Sequence, residues 1–226
     1  MSTTPEAVRA LLASSDTGER LRGVNELRQL ERGPAYELAQ SVLQDEHPRV
    51  RYSAVSQLGT LGRQDPQQTL PLLRDRLLHD PEPDIKAAAA DAIGGLQLRE
   101  AYPDLERLYR ETEEWLVQFS IVAALGELGD PRGFELLQQA LESDTALICT
   151  AAIGALGELG DARAVELLRP YVSDPDWQRR SRAVRALAQI GTEEARALIE
   201  PLTQDEVEQV AQHARESLAQ LHSPSA

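Results

Sequence analysis

The residues best suited to chemistry stand beside the two tryptophans. Glu113 and Glu114 precede Trp115, and Asp176 precedes Trp177. A carboxylate next to an indole could act as a general acid or accept hydrogen bonds from a flat ligand. A carboxylate in a first helical turn is equally explained by the positive end of the helix. Cys149 is the one cysteine. As a nucleophile it would need a depressed pKa, which a helix start supplies only in small part; the alternative is a small apolar residue flanking the core. His47, His79, His213 and His222 fall in different registers, and Cys149 has no cysteine or histidine near it in sequence, so the spacing points to no metal site. Gly126-Glu-Leu-Gly129 and Gly157-Glu-Leu-Gly160 read as helix endings, so no phosphate-binding glycine loop is expected.

Charge and composition narrow the classes further. The formal net charge is −14, which repels phosphate backbones and argues against nucleic acid as a partner. One cysteine excludes an intramolecular disulfide and suits a reducing compartment. The opening residues Met1–Glu6 lack the basic and apolar regions of a signal peptide. No apolar run approaches the ~20 residues of a membrane span. The expectation is a cytoplasmic protein without a transmembrane segment or a tightly bound cofactor.

The elements that position these residues come from a repeat. Ala124-Leu-Gly-Glu-Leu-Gly-Asp130 returns as Ala155-Leu-Gly-Glu-Leu-Gly-Asp161, 31 residues later. Equivalent apolar positions are Leu27, Leu58, Ile93, Leu125, Leu156, Leu187 and Leu218, with gaps of 31, 35, 32, 31, 31 and 31 residues. Each unit carries two stretches with apolar residues three and four apart, the spacing of amphipathic helices. Thirteen residues before each aligned position stand Ser14, Asp45, Asp80, Thr112, Ser143, Asp174 and Asp205, all with side-chain oxygens suited to the free amides of a helix start. Gly62, Gly129, Gly160 and Gly191 are read as left-handed closures of the second helices. The predicted fold is all-α: an α-solenoid of about seven antiparallel helix pairs, a single solenoid over 1–222 with repeats near 5–33, 34–64, 65–99, 100–129, 130–160, 161–191 and 192–222, and a frayed tail at 223–226.

At about 100° per residue, Val50, Ala54, Leu58 and Leu61 form the core stripe of the second helix in unit two. Positions 48, 49, 52 and 56 turn away from the first helix, towards a groove. Carried through the repeat, these positions hold Tyr52, Trp115, Leu116, Phe119, Leu147, Thr150 and Trp177. An apolar face there is either a ligand-binding floor or a surface covered by tight curvature. Position 51 gives a further ladder of Arg20, Arg51, Lys86, Gln118, Cys149, Arg180 and Ala211. Its basic members either pair with the aspartates at helix starts or, with Arg185, hold the acidic groups of a ligand: Arg51, Lys86, Arg180 and Arg185 are the candidates. Asp176 and Cys149 are the candidate polar partners at the edge of the floor.

Gly126-Glu-Leu-Gly-Asp-Pro-Arg-Gly-Phe-Glu-Leu-Leu137, Gly157-Glu-Leu-Gly-Asp-Ala-Arg-Ala-Val-Glu-Leu-Leu168 and Ser173-Asp-Pro-Asp-Trp-Gln-Arg-Arg180 resemble phycobilisome-lyase HEAT-like repeats. The resemblance implies an activity on cyanobacterial phycobiliproteins, phycocyanin and allophycocyanin, whose linear tetrapyrrole phycocyanobilin is joined to cysteine by a thioether. It implies a role in phycobilisome degradation with detachment of the bilin. Attachment of the bilin remains an alternative, as does a non-enzymatic adaptor role, including that of an iron–sulfur scaffold partner. The apolar floor would take the pigment, the arginines and Lys86 its propionates, and a carboxylate such as Asp176 its pyrrole nitrogens. No catalytic residue is carried over from the resemblance.

Overall fold

The computed structural model describes residues 3–222; the expected tail at 223–226 lies outside the described residues. Fourteen α-helices follow in seven pairs, with no strand among the described residues. They are α1 (Pro5–Leu12) with α2 (Thr17–Glu26), α3 (Arg32–Gln40) with α4 (Pro48–Leu61), and α5 (Pro66–His79) with α6 (Pro83–Gly95). Then come α7 (Tyr102–Glu111) with α8 (Trp115–Leu128), α9 (Phe134–Ala140) with α10 (Ala146–Leu159), α11 (Ala164–Leu168) with α12 (Trp177–Ile190), and α13 (Glu193–Ile199) with α14 (Glu208–His222). This is an α-solenoid. The helices group into two compact units, one ending at Ile121 and the other beginning at Val122. The 35-residue spacing before Ile93 goes into α5, whose 14 residues exceed the 9 of α3 and the 10 of α7 by roughly one helical turn.

Within each unit the second helices carry the core. Val50, Ala54, Val55 and Leu58 on α4 are fully buried, as are Ile148, Ala152, Ile153 and Leu156 on α10. Successive second helices pack side by side, α4 on α6 in the first unit and α10 on α12 in the second.

The oxygen ladder lies two residues upstream of the helix caps. In all seven repeats the side chain accepts a hydrogen bond from the backbone amide two residues on. The distances are 3.1 Å for Ser14, 2.9 Å for Asp45, 3.1 Å for Asp80, 3.2 Å for Thr112 and Ser143, and 2.8 Å for Asp174 and Asp205. This is a side-chain turn that competes with helix; it reverses the chain, and the helix begins after it. The caps themselves include Asp16, His47 and Asp176.

At the other helix end, Gly129, Gly160 and Gly191 adopt positive φ of 60°, 71° and 70°, the left-handed closure expected. Gly62 differs, because its φ of −65° is right-handed. A Cβ there would stand 2.5 Å from Thr69 Cγ2, so this glycine makes room for the first turn of α5. The inner glycines of the repeated heptad serve a third purpose. A Cβ on Gly126 would meet Ala155 Cα at 2.7 Å, and one on Gly157 would meet Ala186 Cα at 2.4 Å. Neighbouring second helices there touch backbone to backbone.

Candidate functional site

Arg51 and Arg180 were candidates for holding a ligand's acidic groups; the structure turns both inward. Arg51 is 8% exposed and grips Asp80 with two bonds, Nε to Oδ2 at 2.9 Å and Nη2 to Oδ1 at 3.0 Å, while Nη1 donates to the Asp45 carbonyl at 2.9 Å. Arg180 repeats this on Asp205, at 2.7 and 2.8 Å, with Nη1 on the Asp174 carbonyl at 2.8 Å. Arg20 does the same with Asp45, at 2.7 and 3.0 Å. A planar guanidinium fits this bidentate task. Each arginine thus ties its own turn to the ladder aspartate of the next repeat; Arg51 pairs with Asp80 of the following repeat, not with Asp45 of its own. Burial pushes the carboxyls of Asp45 and Asp80 up, but the bonds from Arg20 and Arg51 outweigh it and hold both below the usual range. The Arg180 hydrogen bonds hold Asp205 low against its burial.

The middle repeats lack this rung. Gln118 keeps half of it, donating to the Thr112 carbonyl at 2.9 Å. Lys86 is half-buried in the first turn of α6. Cys149, a candidate polar partner, is 4% exposed, with Sγ 3.6 Å from Tyr171 Oη. The tyrosine hydroxyl also donates to the Leu141 carbonyl at 3.4 Å, and burial followed by the Cys149 contact pushes its phenol far above the ordinary range. Asp174, whose rung partner would stand at 149, is reached instead by Arg179 at 3.4 Å. Cys149 therefore flanks the core.

The floor positions divide by unit. In the first unit Tyr52 is 47% and Trp115 49% exposed, with Leu116 and Phe119 half-buried on the Trp115 side of α8. In the second unit Leu147 is 55% exposed, with Thr150 and Trp177 half-buried. The Thr150 hydroxyl turns back to the Ala146 carbonyl at 2.8 Å, which leaves it no part in ligand recognition as a donor. Asp176 is exposed but caps α12, accepting from the Gln178 amide at 2.9 Å. Arg185 donates one arm to His213 Nε2 at 3.0 Å. Arginine can only donate, so that ring nitrogen is unprotonated and Nδ1–H donates to Ser181 Oγ at 2.6 Å.

One residue the sequence did not single out stands in the second unit. Glu158 on α10 lays its carboxyl across Gly126, where an added Cβ would stand 2.7 Å from Oε2. Burial, reinforced by the charge of Glu127 and opposed by Arg182, raises it above the usual carboxylate range. The signal was Gly126 itself, since the missing side chain makes the space that Glu158 fills. Among the described residues no cluster of histidine, cysteine and carboxylate could hold a metal, and no helix is long and apolar enough to cross a membrane.

The HEAT repeat family model matches residues 4–91, 70–152 and 149–219. The chain belongs to the HEAT-repeat family. Its fold is similar to that of a chain in the complex of CpcE and CpcF of phycocyanin lyase from a Nostoc species. That match has a TM-score of 0.67 and 24% identity, covering 100% of this chain and 91% of the other. An engineered protein matches with a TM-score of 0.62 at 19% identity over 97% of this chain and 68% of its own. Escherichia coli YibA matches at 0.57 and 12% identity over 96% and 93%. At these identities the likeness is one of fold. No curated protein matches the chain.

Proposed function

We propose that the chain acts on phycobiliproteins, phycocyanin and allophycocyanin, and helps detach their phycocyanobilin, in the manner of the cyanobacterial phycobilisome degradation protein NblB. The observation that carries this reading is the exposure of Trp115 and Leu147 on second helices, at 49% and 55%, where a solvated helix face would be polar. The full-length fold similarity to a phycocyanin lyase chain supports it. A linear tetrapyrrole is long, apolar and edged by propionates and pyrrole nitrogens. Each unit taken by itself offers it apolar surface and a cation, Tyr52 and Trp115 with Lys86 in the first and Leu147 and Trp177 with Arg185 in the second, once Arg51 and Arg180 are assigned to the rungs. Glu158, poised above the ordinary carboxylate range, is a better partner for pyrrole nitrogens than Asp176, which caps a helix. Binding that twists the pigment from its antenna conformation would lower the barrier to breaking the thioether.

The similarity to a phycocyanin lyase also favours a second reading, bilin attachment. Incubation with intact phycocyanin, followed by acid denaturation and chromatography of pigment and peptide, tests both. Detachment predicts loss of covalently bound bilin, slowed in Glu158→Gln. Gain of covalent bilin from apo-phycocyanin and free pigment would establish attachment instead. An unchanged covalent link in both reactions would sink both.

A further inference from the structure

The geometry points to a second, separate ligand site in the first unit: a pocket for a small amphipathic anion, a carboxylate or phosphate monoester with an apolar tail, held by Arg28 and Arg32. It is independent of the function proposed above.

The pocket arises from a break in the repeat. One residue after the aligned core position, repeats two to five carry glycine, Gly59, Gly94, Gly126 and Gly157, and the last two carry Ala188 and Ala219. At Gly126 and Gly157 this brings adjacent second helices into backbone contact. The first repeat carries Arg28 at that position. A side chain of that size cannot enter such a contact, and α2 stops at Glu26 in favour of a 3-10 turn over Leu27–Gln29. The ends of α2 and α4 stay apart, leaving a cavity of about 490 Å³, within the range of small-molecule sites. Leu27, Leu30 and Leu61 supply apolar wall, Ser56 and Thr60 hydroxyls, and Arg28 and Arg32 the rim.

The charges give the ligand its sign. Among the described residues, Arg28 and Arg32 have no ion pair and no side-chain hydrogen bond; Glu31, next to Arg32 in sequence, pairs with neither. Arg20, Arg22, Arg51, Arg74 and Arg76 in the same unit are engaged by carboxylates; Arg9 and Arg49 have no ion pair either, but only Arg28 and Arg32 line this cavity. In a chain of net charge −14, two unengaged guanidiniums on one concave, part-apolar cavity fit an anion whose tail covers the leucines. A forked guanidinium binds either head group through two oxygens.

Calorimetric titration of the full chain with octanoate and with octyl phosphate tests this, with octanol and inorganic phosphate as single-feature controls. Saturable binding of octanoate, octyl phosphate or both is expected, the stronger one identifying the head group, with octanol and inorganic phosphate each at least about tenfold weaker. Arg28→Ala and Arg32→Ala should each weaken it about tenfold or more. Arg49→Ala removes the same charge from α4 outside the pocket and should leave it unchanged. Both arginines are exposed, so thermal melts of these variants should match the parent. The proposal is overturned by no binding of either amphiphile at millimolar concentration, by octanol or inorganic phosphate binding equally well, or by affinity unchanged in Arg28→Ala and Arg32→Ala.

Discussion

The junction of α2 with α4 and the junction of α10 with α12 join equivalent helices of consecutive repeats, yet they are fastened at opposite ends. The first is tied at the helix starts by Arg20 on Asp45 and gapes at the other end around Arg28. The second has Cys149 where the arginine would stand and is closed at its far end by Gly157 against Ala186. The α12–α14 junction follows the first pattern: Arg180 grips Asp205, and Ala188 lines a cavity of about 410 Å³. Either device sets the register of neighbouring second helices. Large side chains stand exposed beside both kinds of junction, Tyr52 next to the Arg51 rung and Leu147 near Cys149.

The largest effect should come from cutting a rung. Asp80 is fully buried and Arg51 nearly so, and removing one partner of a buried pair costs about 3–5 kcal/mol. Asp80→Asn should lose that much in urea unfolding, whereas Asp174→Asn, opposite the half-buried Arg179 at 3.4 Å, should lose less than about 1 kcal/mol. Equal losses would erase the distinction between the two kinds of junction. The rungs also set an acid limit. Their carboxyls are depressed in the fold, so their stabilisation is complete above the unfolded aspartate pKa of about 3.9 and disappears as pH falls through the lower folded values. Asp80→Asn should flatten the fall in stability below about pH 4.

Closing glycines come next. Gly157→Ala would set a Cβ 2.4 Å from the Ala186 backbone and should cost about 1–3 kcal/mol. Gly59→Ala meets Ala92 at an ordinary 3.5 Å and should be neutral or stabilise by up to about 1 kcal/mol through helix propensity. Thermal melts separate the two, and a destabilised Gly59→Ala would mean that the α4–α6 junction is as tight as the α10–α12 one.

The helix pairs were legible because the repeat prints its punctuation: core leucine, left-handed glycine and turn-forming oxygen recur at fixed spacing. Read as caps, the oxygens start the helices two residues too early, since a side-chain turn and a helix cap use the same residue types and differ only in which amide they accept. The exposed face was legible at Tyr52, Trp115 and Leu147 because helical angle alone separates groove from core. For Arg51 and Arg180 the sequence offers the aspartate pairing as one of two readings and leaves the choice open, because it depends on inter-repeat distance, which no single helix encodes. Glu158 and the Arg28 pocket were hidden for the same reason, both being consequences of how closely two helices approach.

The most direct test of the account is an absorbance titration of free phycocyanobilin with the parent chain, Trp115→Ala and Leu147→Ala. A saturable spectral change is expected with the parent, weakened about tenfold or more when the aromatic anchor is removed, with unchanged melting temperatures. No spectral change with the parent, or identical curves for all three proteins, would contradict it.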